Sequence, residues 1–183
     1  MRIILGAGKT TYDRWISTQE NELNLLNTED FARMFASEKP TAFLAEHVWE
    51  HMTFDEGCRA AQNCFDYLQD GGYIRVAVPD KNFRNEWYQN MVKVGGNGDP
   101  IHPAFTHKIV YDYKMLSQVF KQAGFEIELL EWCDEAGDFH YKYWNEHDGK
   151  IGRSLRFDTR NQNGKLGMVS IILDAKKPGK IAY

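Results

Sequence analysis

Three short apolar runs constrain this chain most: RIIL (2–5), TAFLAEH (41–47) and YIRVAV (73–78). Each is too short for a helix and rich in β-branched or aromatic residues, so each reads as a buried strand. The first is closed by Gly6-Ala7-Gly8 and the third by Pro79. Helix start signals lie between them. Asn27 can cap a helix from Thr28, with Glu29 and Asp30 at its positive end and Phe31, Met34 and Phe35 on one side. Thr53-Phe-Asp-Glu56 is a capping box. Its helix carries Cys58, Ala61, Cys64, Phe65 and Leu68 on one face and stops at Gly71-Gly72. Strands that alternate with helices in this way form a mostly parallel sheet with helices on its faces, an α/β fold.

The remaining elements fill in that scheme. RWIST (14–18) reads as the second strand and ELNLL (22–26) as a weaker third. A short helix is expected over 85–92, and Asp112 can cap another over 113–123 that ends at Gly124. EIELLEW (126–132) is a further strand. Beyond it, DFHYKYWN, KIGRSLRFDT and KLGMVSIILDA are separated by EHDG and NQNG. Asp-Gly and Asn-Gly between strand-like runs are strong hairpin signals, so an antiparallel meander is expected from about 126 to 175, closing one edge of the sheet. With no linker or repeat, residues 1–183 read as one domain.

Composition excludes some partners. A net charge of −4 gives no electrostatic attraction to nucleic acid or an anionic membrane, and no apolar run approaches the roughly 18–20 residues that span a bilayer. The expected partner is a small-molecule substrate. Cys58, Cys64 and Cys133 form no C-x-x-C pair and are expected as reduced thiols in a cytoplasmic protein, the first two as core packing. FHYKYW (139–144) reads as a half-buried hairpin with a packed aromatic face. With Arg153, Arg156 and Arg160 it is also a candidate homodimer surface.

The chemistry concentrates in FLAEHVWEHM (43–52), where His47-Val-Trp-Glu50-His51 is a literal H-x-x-E-H. A zinc hydrolase would need His47 and His51 on one face of a long helix, with Glu50 as base. Here a strand precedes the motif and the Thr53 cap begins a new helix directly after it. The motif therefore reads as a strand-end turn lining a pocket, and no metal ligand is assigned. His102 and His107 lie in a Gly/Pro-rich segment over 93–108, long enough to be a lid or binding loop. Asp80, Lys81 and Asn82 read as a post-strand turn.

Gly6-Ala7-Gly8 after the first strand, AEHVWEHM after a later one, YLQDGGYIRVAVPD, and YDYKMLSQVFKQAGFEIELLE together resemble class I S-adenosylmethionine-dependent methyltransferases. Among these they are most similar to the small type-11-like group. The resemblance implies a Rossmann-like methyltransferase sheet with S-adenosylmethionine as cofactor. It also implies roles. Gly6, Ala7 and Gly8 would meet the cofactor's methionine end; Gln19 or Glu20 would hold the ribose; Asn24 and Leu25 would bracket the adenine. Ala45, Glu46 and His47 would close the pocket toward the acceptor. His47 or a loop histidine such as His107 would be the general base, with Glu50 as its neighbour.

The pattern departs from the family at Ile4, where an acid is usual, at Thr10, where a third glycine is usual, and at Gln19, where the ribose acid is expected. Only Lys9 to Asp13 separate the glycine turn from the second strand, too few for the usual first crossover helix. Either the second strand pairs unusually or the sheet is trimmed. The functions to weigh are a methyltransferase for a small-molecule or glycan-type acceptor, an inactive methyltransferase-like binding or assembly module, and a zinc hydrolase.

Overall fold

A computed structural model describes residues 1–161 and 164–179. Seven strands form one sheet: β1 (Arg2–Leu5), β2 (Ile16–Ser17), β3 (Ala42–Glu46), β4 (Tyr73–Pro79), β5 (Glu126–Cys133), β6 (Phe139–Tyr141) and β7 (Ser170–Lys176). Their spatial order is β2-β1-β3-β4-β7-β5-β6. β2, β1, β3 and β4 run parallel, while β7 is antiparallel to both β4 and β5. The helices are α1 (Thr28–Met34), α2 (Phe54–Tyr67), α3 (Glu86–Val92) and α4 (Tyr113–Gln122). The caps are those expected: Asn27, the Thr53–Glu56 box and Asp112 each bond to their helix's first turn. Among the described residues no helix is long and apolar enough to cross a membrane.

Alternate residues along each strand feed two cores. Ile3, Phe43, Val76 and Leu173 pack against Phe31 of α1, Cys64 and Leu68 of α2, and Leu116 and Phe120 of α4. Ile4, Leu44, Ala77 and Ile172 face Trp144, Ile151, Tyr12, Trp15 and Phe157 on the other side. The second face is thus covered by irregular chain rather than by helices. Cys64 is buried as expected, and burial pushes its thiol pKa well up; Cys58 is half-exposed and donates to Gln122 Oε1 at 3.2 Å.

Several expectations need correction. ELNLL is not a strand: Leu23 and Leu25 point into the core, but Asn24 Oδ1 accepts Leu26 N–H and Asp30 Oδ2 accepts Asn24 N–H, which bends the chain into turns. RWIST shrinks to the two residues of β2, because Arg14 adopts φ 64. Residues 6–15 contain no helix, yet β2 still pairs in parallel with β1 (Ile3↔Ile16, Ile4↔Ser17). The loop is short-circuited by Thr10 N–H to Ala7 O at 2.8 Å and Ser17 Oγ to Thr10 O at 2.8 Å.

The C-terminal part is antiparallel as expected, with the β5–β6 hairpin closing one edge of the sheet; what differs is the order, since β7 inserts between β4 and β5 instead of following β6. Residues 150–159 are coil, and Asp148-Gly149 ends a short 3-10 turn instead of a hairpin; Asn163 lies outside the described residues. Buried polar side chains dictate this. Arg75, on β4, pairs with Asp174 through two bonds of 2.7 and 2.9 Å and donates to Asn145 O and Gly149 O. Glu131 accepts from Trp144 Nε1 and Leu155 N. In FHYKYW the buried ring is Trp144, while Tyr141 and Tyr143 are exposed at the β6 edge.

Asp80 shows the same use of a buried carboxylate. It accepts from Cys133 N at 2.7 Å and Asn82 N at 2.9 Å, tying the end of β4 to β5. Burial pushes its pKa from 3.8 up to about 6 despite those bonds. A pKa raised in the folded state means that folding favours the protonated acid. Its contribution is therefore full below about pH 4 and is lost as pH rises through 6, by on the order of 2 kcal/mol. Melting curves of wild type and Asp80→Asn are expected to show the variant gaining relative to wild type between pH 4 and 7. A pH-independent difference would contradict this.

Candidate functional site

The chain leaves β1 toward β2 on one side and returns to β3 on the other, so the carboxyl ends of β1 and β3 form a switch point, where open α/β sheets bind ligands. Gly6 and His47 emerge there side by side. Gly6 has φ 57, and a Cβ on it would sit 3.0 Å from Val48 Cγ2, so only glycine lets the two strand exits approach. Gly8 also has φ 57 and opens onto free space.

Two cavities meet at Gly6, His47 and His51. The smaller, about 340 Å³, is walled by Leu23, Leu25, Val48 and Met52, with Glu20 and Asn24 on its rim. The larger, about 720 Å³, is lined by Ala7, Gly8, Lys9, Tyr12, Glu46, Glu50, His102, His107 and Arg153. Most of the residues singled out in the sequence are thus brought together. Ala45 is not: it is fully buried within β3 and borders neither cavity.

Gln19 explains one departure from the family pattern. Its Oε1 accepts Gly8 N–H at 3.2 Å and its Nε2 donates to Gly8 O at 2.8 Å. The position needs a donor and an acceptor together, which an amide provides and a carboxylate does not. Gln19→Glu is expected to set a carboxylate against Gly8 O and cost about 1 kcal/mol in a denaturant melt; an unchanged midpoint would refute the clamp. Glu20, next in sequence, is exposed, and among the described residues its carboxylate meets no donor or cation. Glu46 is occupied: its two oxygens accept Gly152 N and Arg153 N at 3.0 and 2.8 Å, holding the coil over the sheet.

The H-x-x-E-H segment is a strand-end turn, as expected. His47 takes φ 57, a strained conformation for a non-glycine residue. A single 3-10 turn, Trp49–His51, follows. His47 Nε2 lies 2.9 Å from Ser170 Oγ and its Nδ1 3.1 Å from Glu50 Oε1. That last contact lies off the line of a hydrogen bond; Glu50 is completely buried, and neither of its oxygens accepts a hydrogen bond. Burial alone would raise the Glu50 pKa, but the neighbouring His47 and His51 imidazoles favour its ionised form and hold the carboxyl below its usual range. From the 93–108 segment His107 brings Nε2 to 3.9 Å from Glu50 Oε1, and its ring meets that of His51 edge-to-face at 4.9 Å. Burial lowers the His107 pKa. The segment is anchored by Lys108 N–H to Glu50 O at 2.8 Å.

His51, Tyr12 and Lys9 join the site without being among the residues the sequence assigns to it. Nothing local marks the last two; they join the site only because the missing helix lets residues 9–12 fold over the sheet.

By sequence, the chain matches no protein-family model and no curated protein. By structure it is similar to a SAM-dependent methyltransferase from Archaeoglobus fulgidus, with TM-score 0.54 and 15% identity over 96% of this chain and 86% of that one. It is also similar to the CurJ carbon methyltransferase (TM-score 0.52, 10% identity, 97% of this chain and 48% of that one). A third likeness is to an O-methyltransferase family protein from Burkholderia thailandensis (TM-score 0.51, 9% identity, 92% and 37%). The chain spans less than half the length of the last two. What is shared is the fold: the chain has the class I methyltransferase fold, with a mixed seven-stranded sheet.

Proposed function

We infer that the chain is an S-adenosylmethionine-dependent methyltransferase for a small-molecule or glycan-type acceptor. The observation that carries this reading is the unpaired Glu20 carboxylate at the rim of the apolar 340 Å³ cavity, beside the glycine cradle at the switch point. The residues fit the cofactor's adenosine half. Glu20 can accept both hydroxyls of a ribose diol. Leu23, Leu25, Val48 and Met52 offer flat apolar walls for a base, and Gly6 lets a ligand approach the backbone. The methionine end has less to hold it, because Ala7 N–H is bonded to Thr18 O and Gly8 N–H to Gln19, and no helix N-terminus is at hand. Lys9, which lines the larger cavity, supplies a cation for a carboxylate there.

The bound cofactor would supply an electrophilic methyl group. The chain's own part is positioning. His47 stands at the neck shared by both cavities, held by Ser170 and backed by Glu50, and is the base in this reading. The acceptor occupies the larger cavity, which His107 also reaches.

The occupied amides of the glycine turn favour a second reading, a methyltransferase-like binding or assembly module, for which the exposed Tyr141 and Tyr143 are a candidate dimer face. Incubation with methyl-labelled S-adenosylmethionine and pooled small acceptors separates the two. Label transferred to any acceptor supports the enzyme. Cofactor binding without transfer across the pool favours the module.

A further inference from the structure

We propose that Glu50, His51 and His107 form a binding site for one divalent transition-metal ion of the zinc or ferrous kind. The claim goes beyond methyl transfer and does not rest on it. The donor atoms are one carboxylate oxygen and two imidazole nitrogens, all within 4.8 Å of one another. Glu50 is 0% exposed and neither of its oxygens accepts a hydrogen bond; the His47 Nδ1 contact, 3.1 Å from Oε1, lies off the hydrogen-bond line and leaves the buried carboxylate able to bind a cation in the cluster.

The proton positions on the two histidines follow from their outer partners. His107 Nδ1 is 2.8 Å from Val92 O, and a carbonyl can only accept, so Nδ1 carries the proton and Nε2 presents a lone pair. His51 Nδ1 is 2.8 Å from Thr106 Oγ1, whose own hydrogen is given to Pro103 O at 3.1 Å. The hydroxyl is therefore the acceptor there as well, and His51 Nε2 is also bare. Two lone pairs and a carboxylate that accepts no hydrogen bond converge on one point, an arrangement that a cation satisfies. Imidazoles fixed through the far nitrogen by a carbonyl or hydroxyl are the usual outer support of metal-bound histidine. Two histidines and one carboxylate suit zinc or ferrous iron and leave coordination positions open. Bonds of roughly 2.0–2.2 Å need donors roughly 3–3.5 Å apart, so closure asks for a contraction of up to about 1.5 Å from separations that reach 4.8 Å.

This set differs from the H-x-x-E-H hydrolase pattern. His47 is not a ligand, since its nitrogens face Ser170 and Glu50; Glu50 is a ligand rather than a base; and the third donor comes from the distant 93–108 segment. The open positions face the 720 Å³ cavity, where an acceptor oxygen could be held.

The test uses full-length protein without a histidine tag, stripped by chelator and titrated with Co²⁺ by absorption and with Zn²⁺ by calorimetry. One equivalent is expected, with d–d bands and a rise in melting temperature. Glu50→Gln and His107→Gln are expected to weaken binding at least 100-fold. Thr106→Val, which frees His51 and Pro103 O but removes no ligand, is expected to weaken it about 10-fold. Cys58→Ser is expected to bind as wild type. Circular dichroism of each variant separates lost ligands from lost fold, and Thr106→Val carries the test if Glu50→Gln does not fold. Less than a tenth of an equivalent bound, or binding abolished by Cys58→Ser and not by the ligand variants, overturns the site. S-adenosylhomocysteine titrated into the stripped protein reports on the methyltransferase reading separately.

Discussion

Asp174→Asn and Arg75→Met are each expected to destabilise the fold by about 3–5 kcal/mol, because each leaves the opposite member of a buried pair without its counter-charge. Arg75 is 2% exposed and Asp174 8%, and they are direct cross-strand partners on β4 and β7. The guanidinium also lies 5.0 Å from the Trp144 ring centre and donates to Asn145 O and Gly149 O. It therefore fastens the inserted antiparallel strand and the coil covering the sheet's second face. For a chain of this length such a loss lowers the melting temperature by roughly 10 °C. The double variant Arg75→Met/Asp174→Leu is expected to recover part of the loss, since an apolar pair pays no desolvation. Recovery stays incomplete because the two carbonyls keep no donor. Thermal and urea melts of the three variants check this; single variants within 1 kcal/mol of wild type would show that the pair does not organise this face.

The second large effect concerns the ligand. Glu20→Ala is expected to weaken S-adenosylhomocysteine binding by about 10- to 100-fold, the value of charge-assisted hydrogen bonds to a diol. Stability should hardly change, because Glu20 is exposed and bonded to nothing among the described residues. Calorimetry of the two proteins reads the difference; equal affinities would remove Glu20 from the site.

These residues also mark how far the sequence could be read. The strands of the parallel half and all four helices were legible, because apolar periodicity and caps such as Thr53–Glu56 are local signals. The place of β7 was not: a strand's own pattern does not say which neighbours it pairs with, and Asp148-Gly149 suggested a hairpin that Arg75 and Tyr73 override by binding carbonyls of that turn. Residues 150–159 read as a strand because Glu46 and Glu131, which hold them as coil, look like ordinary polar positions of other strands. In the site, the approach of Gly6 and His47 was legible from strand ends. The role of Gln19 was not, since it depends on both faces of one amide meeting Gly8. The convergence of His51 and His107 on Glu50 was also hidden, because it needs the 93–108 segment to dock back on the turn.

A class I methyltransferase fold without its first crossover helix is expected to hold the cofactor between Gly6 and Glu20. Calorimetric titration of the 183-residue chain with S-adenosylhomocysteine checks this. A one-to-one isotherm with micromolar to sub-millimolar affinity, weakened by Glu20→Ala, is the result predicted. No heat and no thermal shift at millimolar ligand would contradict it.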